Sequence, residues 1–132
     1  MPVELESNRE LYGGTGLKIG VTGCAGHFGS QLVNRLLAEG DEVVGFDVLR
    51  YGGESLLGSI SDSRFSFKKL DLSKAPTGEF EGLDAVAHLA ALVGPVCDRS
   101  PEEAWETNVS ATERICRVAS EQGVRVLLAS TC

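Results

Sequence analysis

Hydrophobic side chains recur at two different spacings along the chain, and the two spacings alternate. Residues 27–39 carry apolar side chains three and four positions apart, which predicts a helix that Gly40 terminates. The predicted apolar row of this helix consists of Phe28, Leu32, Val33, Leu36 and Leu37. Short apolar runs, typical of buried strands, occupy residues 17–22, 42–47, 65–70, 83–90 and 122–130.

A second long helix is predicted to begin after Ser100. This serine suits the N-cap, Pro101 suits the first helical position, and Glu102 and Glu103 favour the positive end of the helix dipole. The predicted apolar side of the helix consists of Trp105, Val109, Thr112, Ile115, Cys116 and Ala119. Residues 48–63, by contrast, are predicted to form a loop with one helical turn.

The alternation of strands and helices predicts the fold class. It indicates an α/β fold, a Rossmann-type doubly wound parallel sheet of about five strands with helices on both faces. Residues 1–16 show no sustained period and are predicted to be an N-terminal tail, so the domain is placed at residues 17–132.

Composition and charge narrow the expected partners. The 132 residues correspond to about one domain, and a net charge of −7 disfavours nucleic acids and anionic membranes. The acidic start does not resemble a secretory signal, and the apolar stretch 85–94 is too short to cross a bilayer. The four cysteines form no C-x-x-C, and His27 and His88 lack metal-type spacing. We therefore expect a cytoplasmic protein with reduced thiols and no metal.

Residues 23–29, "GCAGHFG", have the spacing G-x-x-G-x-x-G between a predicted strand and a predicted helix. In a dinucleotide site, Gly23 would turn the chain sharply, Gly26 would let a pyrophosphate approach, and Gly29 would let the helix pack on the sheet. The phosphate would meet free backbone N–H groups at the positive end of the helix. Ala25, His27 and Phe28 are therefore also predicted cofactor contacts. The alternative is a tight strand–helix turn without a ligand.

An acidic residue supplies a second indication of such a site. Asp47 ends the second predicted strand, 18 residues after Gly29 (47 − 29), where a carboxylate would bind a ribose 2′-hydroxyl. It would repel a 2′-phosphate, so NAD is favoured over NADP. Arg50 could neutralise Asp47 or bind a 2′-phosphate itself. The alternative for Asp47 is a loop cap.

Several segments together resemble the extended short-chain dehydrogenase/reductase superfamily, the NAD-dependent epimerases and dehydratases that mostly act on nucleotide sugars. The resemblance runs in the family's order from residue 17 to residue 132. It is carried by "VTGCAGHFG" (21–29), "VVGFD" (43–47), "LDL" (70–72), "VAHLAAL" (86–92), "ETNVSAT" (106–112) and "LLASTC" (127–132).

The resemblance implies roles for particular positions. Asp71 and Leu72 would lie beside the adenine, Asn108 would help hold the strand ends around the cofactor, and Thr131 would hydrogen-bond the reacting sugar. The small-residue wall against the ribose and pyrophosphate would consist of Leu89, Ala90 and Ala91. The simpler alternatives are a turn cap for Asp71, a polar helix residue for Asn108 and an ordinary strand-end residue for Thr131. The residue at 88 is expected to be a satisfied buried histidine rather than a catalyst.

Members of this family also resemble one another in a Tyr-x-x-x-Lys pair, in which the tyrosine exchanges a proton as hydride moves and the lysine lowers the tyrosine pKa. Here Tyr12 is followed four residues later by Gly16, and Tyr51 by Ser55, so neither forms the pair. We therefore expect the cofactor-binding half of a longer oxidoreductase, incomplete at its C-terminus and inactive by itself.

Two functions stay open at the level of the sequence. One is an epimerase, dehydratase, decarboxylase or reductase of a nucleotide sugar. The other is a non-catalytic module that senses NAD(H) or mediates an interaction. Homodimerisation through the helix at 102–121 is a further expectation, and its apolar side could equally pack only on its own sheet.

Overall fold

The fold is described by a computed structural model of residues 16–75 and 77–130, which leaves the predicted tail up to residue 15 outside the described part. The strands are β1 Lys18–Thr22, β2 Glu42–Asp47, β3 Phe65–Lys69, β4 Ala85–His88 and β5 Arg125–Leu128. The helices are α1 His27–Glu39, α2 Pro95–Arg99, α3 Pro101–Trp105 and α4 Ala111–Glu121. A π-turn, Glu106–Ser110, joins α3 to α4, and short 3-10 turns occupy Glu54–Leu56 and Thr77–Phe80.

The strands form one parallel sheet in the order β3-β2-β1-β4-β5. In the centre, Val21 of β1 pairs with Gly45 of β2 on one side and with Ala87 of β4 on the other. The chain thus leaves β1 towards one edge and later returns to build the other half. A crevice opens at such a reversal, beyond the carboxyl ends of the strands. The predicted α/β class is confirmed.

Each face of the sheet has its own hydrophobic core. On one face, Val33 and Leu37 of α1 pack over Val43 and Phe65. On the other face, Ile115, Val118 and Ala119 of α4 pack with Phe46, Val86 and Phe80. Helices therefore cover both faces, as a parallel sheet requires.

Helix α1 has the predicted bounds but not the whole predicted apolar row. Gly40 ends the helix in the left-handed conformation, φ 87°, and its N–H donates to the carbonyls of Leu36 and Leu37. Val33 is buried, but Phe28 is 76% exposed and contacts the ring of His27 edge-on. Phe28 lies in the first turn, beyond the end of the sheet, so no strand is present beneath it.

The second helix differs from its predicted form in two respects. Ser100 precedes α3, but its side chain makes no capping hydrogen bond. The π-turn interrupts the α-helical spacing, so the buried row after it consists of Ala111, Ile115, Val118 and Ala119. Trp105, Val109 and Cys116, predicted on the apolar side, are exposed. One extra residue in a turn rotates the rest of the helix by roughly 100°, which accounts for the shift.

Strands β4 and β5 are shorter than their apolar runs predicted. The chain leaves the sheet after His88, and Leu89 begins a loop. β5 is an edge strand, and its Leu127 and Leu128 are 67% and 50% exposed.

Candidate functional site

The glycine turn lies at the carboxyl end of β1, and two of its glycines are required by the fold. Gly23 has φ +67°, and a Cβ there would lie 2.9 Å from the backbone N and Cα of Ala90. A Cβ on Gly29 would overlap the carbonyl oxygen of Gly23. The turn therefore depends on close backbone approach to the loop after β4 and to the first turn of α1.

Gly26 differs from its two neighbours in the motif. Its backbone is extended, φ −72° and ψ 174°, a conformation that any residue adopts. A Cβ there would lie 3.2 Å from the carbonyl oxygen of Gly23, a tight contact but a longer one than at Gly23 or Gly29. The fold therefore explains Gly23 and Gly29 more fully than Gly26. In a dinucleotide-binding turn, this is the glycine whose missing side chain lets a pyrophosphate approach the backbone.

The first turn of α1 has the features of an anion site. Gly26 provides no side-chain cap, and the turn contains no acidic residue. The first i→i−4 hydrogen bond is the one from Ser30 N to the Gly26 carbonyl, at 3.0 Å. Among the described residues, the N–H groups of His27, Phe28 and Gly29 meet no acceptor, so they stay available at the positive helix end. The residues present thus suit a pyrophosphate.

Asp47 is connected directly to this turn. Ala25 N donates to Asp47 Oδ2 at 2.9 Å, and Leu49 N donates to Asp47 Oδ1 at 2.8 Å. The carboxylate therefore caps its own loop, which was the alternative interpretation. Each oxygen keeps a further lone pair, so capping and ribose binding are compatible.

Arg50 lies apart from the carboxylate that it was predicted to influence. Its guanidinium forms an ion pair with Glu103 of α3, across the crevice from the loop after β2. Both side chains are part-exposed. Among the described residues Arg50 makes no ion pair with Asp47, so Glu103 is the acid that compensates it.

The segment predicted to border the adenine is ordered by its own side chains. Asp71 accepts hydrogen bonds from Ser73 N at 3.0 Å and Ser73 Oγ at 2.7 Å, and pairs with Lys74. Partial burial acts to raise the pKa of Asp71, but the Ser73 hydrogen bonds and the Lys74 charge outweigh it and lower the pKa. Leu72 is buried in the α4-side core. Leu72 therefore presents its backbone rather than its side chain to a ligand, whereas Asp71 is exposed.

The loop after β4 carries the predicted wall of Leu89, Ala90 and Ala91, and polar side chains fix it from two directions. Leu89 N and Ala90 N donate to Thr22 Oγ1, both at 3.1 Å. Further along, Asn108 Nδ2 donates to the Leu92 carbonyl at 2.8 Å, and Leu92 N donates to Asn108 Oδ1 at 2.7 Å. The predicted holding role of Asn108 therefore has a geometric basis. Thr131 lies outside the described residues.

The cysteine inside the glycine turn is not a reactive group. Burial, and next to it the Asp47 charge, raises the pKa of the Cys24 thiol to about 12. Its sulfur would lie only 2.7 Å from a Cβ placed on Gly45, so the sulfur occupies the space that a side chain at residue 45 would need. Cys24 is therefore a packing residue between β2 and the turn.

Three of the residues that shape the site were not predicted from the sequence to be site residues. Thr22 holds the loop after β4, Ser55 Oγ donates to the Ala25 carbonyl at 2.7 Å, and Glu103 pairs with Arg50. Only Thr22 had a local indication, since it directly precedes Gly23. The other two depend on contacts across 30 or more positions, which no local spacing reveals.

Metal clusters and membrane-spanning helices are both absent from residues 16–75 and 77–130. Within that part of the chain, no group of three or more His, Cys, Asp or Glu side chains is placed to hold a metal ion. None of the helices there has the length and apolar character needed to cross a membrane.

A parallel sheet that reverses at β1, a glycine turn opening α1 and an acid ending β2 define a dinucleotide-binding α/β domain. The chain belongs to the NAD dependent epimerase/dehydratase family, whose model matches residues 19–132. The resemblance found in the sequence is thereby confirmed.

Individual relatives show how much of such an enzyme the chain represents. It is 37% identical over 117 residues to UDP-glucuronic acid decarboxylase 1 of Arabidopsis thaliana, covering 87% of this chain and 26% of that protein. It is 41% identical over 112 residues to UDP-glucose 4-epimerase of Mycolicibacterium smegmatis, covering 80% and 35%. The crystal structure of DesIV, a dTDP-glucose 4,6-dehydratase from Streptomyces venezuelae with NAD and TYD bound, matches at a TM-score of 0.72 and 35% identity, covering 83% and 38%. The chain thus spans about a quarter to two fifths of these proteins.

Proposed function

We propose that this chain binds NAD across the carboxyl edge of its sheet, as the cofactor-binding part of an enzyme that acts on a nucleotide sugar. The observation that carries the proposal is Gly26. It lies at the open first turn of α1, where packing within the chain requires a glycine less than at Gly23 or Gly29 and N–H groups are unpaired among the described residues.

The predicted contacts nearest the glycine turn have defined parts in this proposal. The N–H groups at the start of α1 would bind the pyrophosphate, and Asp47 would accept a hydrogen bond from the adenosine ribose while holding Ala25 in place. Leu89, Ala90 and Ala91 would line the cofactor, since the Gly23–Ala90 contact brings their loop against the turn. Bound NAD supplies an acceptor and donor of hydride.

The choice of NAD over NADP follows from the charges near Asp47. A carboxylate at that position repels a 2′-phosphate. Arg50, the cation that could offset the repulsion, pairs with Glu103. The family name and the NAD-bound dehydratase structure support the same cofactor.

The substrate class is proposed from the relatives. The decarboxylase and the 4-epimerase are named for UDP-linked sugars, and the dehydratase for dTDP-glucose. A nucleotide sugar is what these substrates share. We propose further that these 132 residues do not turn over such a sugar by themselves, because they contain no Tyr-x-x-x-Lys.

Calorimetric titration of the chain with NAD and with NADP at matched salt tests the proposal. We expect NAD to bind and NADP to bind at least about tenfold more weakly, a difference of about 1.4 kcal/mol. Circular dichroism of the same sample shows whether the chain is folded. A folded chain that binds neither nucleotide contradicts the proposal, and a preference for NADP contradicts its cofactor assignment.

A non-catalytic NAD(H)-binding module remains the second candidate, because the same titration would succeed for it. Turnover assays separate the two. Epimerisation by the 132 residues alone would contradict the proposed lack of activity, and a Tyr-x-x-x-Lys downstream in the reading frame would support the enzyme.

A further inference from the structure

A buried hydroxyl at the end of β1 has three hydrogen-bond partners, and it can accept from only two of them. Thr22 is fully buried, and its Oγ1 accepts from Leu89 N and Ala90 N, both at 3.1 Å. The same oxygen lies 2.6 Å from His88 Nδ1. A hydroxyl has two lone pairs and one proton. Both lone pairs face these amides, although Leu89 N shares its hydrogen with the Thr22 carbonyl oxygen, at 3.3 Å. The arrangement therefore favours donation from Thr22 to His88 Nδ1, which leaves that nitrogen without a proton.

The other ring nitrogen confirms this assignment. His88 Nε2 lies 2.8 Å from Thr112 Oγ1, whose hydroxyl donates to the Asn108 carbonyl at 2.9 Å. Thr112 has therefore used its proton and accepts from Nε2–H. The opposite tautomer would crowd a third donor onto Thr22 and take the Thr112 proton from the Asn108 carbonyl. Burial lowers the pKa of His88, which keeps the ring neutral.

We propose that His88, held as the Nε2–H tautomer by Thr22 and Thr112, is a positioning residue that fixes the loop at residues 89–92. Its relevance to the cofactor depends on the proposed function. The tautomer itself does not, because it follows from contacts within the chain.

Hydrogen bonds hold the loop at both of its ends, and His88 connects the two sets of hydrogen bonds through Thr22 and Thr112. At one end Thr22 holds two successive amides, and at the other Asn108 holds both the N–H and the carbonyl of Leu92. Thr112 reaches the Asn108 backbone inside the π-turn. One continuous path of hydrogen bonds thus runs from β1 through β4 to the helix. The backbone of Ala90, 2.9 Å from where a Gly23 Cβ would lie, has no freedom to move inward.

Nitrogen-15 NMR of histidine-labelled chain tests the tautomer directly, since long-range proton correlations distinguish a protonated ring nitrogen from a bare one. At neutral pH we expect His88 to show a bare Nδ1 and a protonated Nε2 in one form. His27, which is exposed, provides the comparison within the same spectrum. A protonated Nδ1, a charged ring or a mixture of tautomers at His88 would overturn the proposal.

Substitutions at Thr112 test the positioning role, because this residue touches His88 without touching the loop. In T112V the Nε2–H loses its acceptor, and we expect the Leu89 and Ala90 amides to exchange with deuterium at least about tenfold faster. T112S retains the hydroxyl and should exchange as the wild type does. T107V is the matched control on the π-turn that precedes α4, since the Thr107 side chain makes no hydrogen bond among the described residues.

Titration with NAD then completes the experiment. T112V should bind NAD about tenfold more weakly than the wild type, T112S and T107V. Urea unfolding verifies that the variants fold, and T112A replaces T112V if the valine is not accommodated. Unchanged amide exchange in T112V would overturn the positioning role. If the folded wild type fails to bind NAD, the proposed function fails, while the tautomer and exchange measurements still decide this inference.

Discussion

At the scale of single residues, the three glycines of the turn serve different purposes. Gly23 and Gly29 are required by backbone contacts within the chain, whereas Gly26 meets one carbonyl oxygen at an ordinary extended conformation. One spacing in the sequence thus combines a requirement of the fold with a requirement of the proposed ligand, and substitutions can separate them.

Alanine at Gly29 should mainly affect stability, whereas alanine at Gly26 should mainly affect NAD binding. Gly29→Ala places a methyl group on the Gly23 carbonyl and should lower the free energy of unfolding by at least about 2 kcal/mol. Gly26→Ala should lower that free energy by no more than about 1 kcal/mol, since glycine is also the better N-cap, yet weaken NAD binding at least about tenfold. Urea unfolding and calorimetry measure the two quantities. Gly58→Ala is the control, because a Cβ at that position meets nothing within 4 Å. If Gly26→Ala binds NAD as tightly as the wild type, Gly26 has no role in ligand binding.

Glu103 should influence which nucleotide is preferred. Glu103→Gln releases Arg50 from its ion pair, and the freed guanidinium can attract a 2′-phosphate. We expect the ratio of NADP to NAD affinity to rise about three- to tenfold, measured by calorimetry at low salt. Glu102→Gln makes the same change of charge on the same helix, and among the described residues Glu102 has no ion pair. An equal rise in both variants would show a general charge effect instead.

At the scale of elements, regular periods could be predicted and their interruptions could not. The bounds of α1 and β2 follow from apolar spacing and a terminal glycine, so the sequence was sufficient. The π-turn at Glu106–Ser110 leaves no local mark in the sequence, and so Trp105 and Val109 were placed on the wrong side. The glycine turn and Asp47 could likewise be predicted from spacing. The partners that hold them, such as Ser55 and Glu103, depend on distant contacts.

The end of α1 provides a test of a local rule. Gly40 has φ 87°, where any residue with a Cβ is strained. Gly40→Ala should therefore reduce the free energy of unfolding by about 1 kcal/mol without changing NAD affinity. Urea unfolding against the Gly58→Ala control measures the loss. An unchanged midpoint would mean that the helix ends elsewhere in solution.

At the scale of the whole molecule, the folded chain should lose stability in acid. Burial lowers the pKa of His88 below its ordinary 6.5, so below that pH the unfolded chain binds a proton that the folded chain excludes. The histidine contribution to stability should be complete above pH 6.5 and fall as the pH drops towards the lowered pKa. Asp71 adds a second loss of stability at lower pH. Below pH 3.8, its carboxylate takes up a proton as the pH falls towards its lowered pKa, and this weakens its interactions with Ser73 and Lys74.

Urea unfolding between about pH 7.5 and 5 measures the histidine part, with a slope of at most about 1.4 kcal/mol for each pH unit. His88→Asn should remove the slope, and His27→Gln should retain it. A wild-type free energy that is level over this range would show that His88 is not kept neutral by the fold.

The strand order also determines when the site can form during folding. β1 pairs with β2 across 24 positions, whereas Thr22 meets His88 across 66. Closing the longer loop costs more chain entropy, so we expect the β1–β2–β3 half to assemble before β4 arrives. The loop of Leu89, Ala90 and Ala91 would then reach Gly23 only after β4 has joined the sheet. We therefore expect a nucleotide to bind only the completed sheet. Pulsed hydrogen exchange during refolding should protect β2 amides before those of β4, and added NAD should slow unfolding without speeding folding.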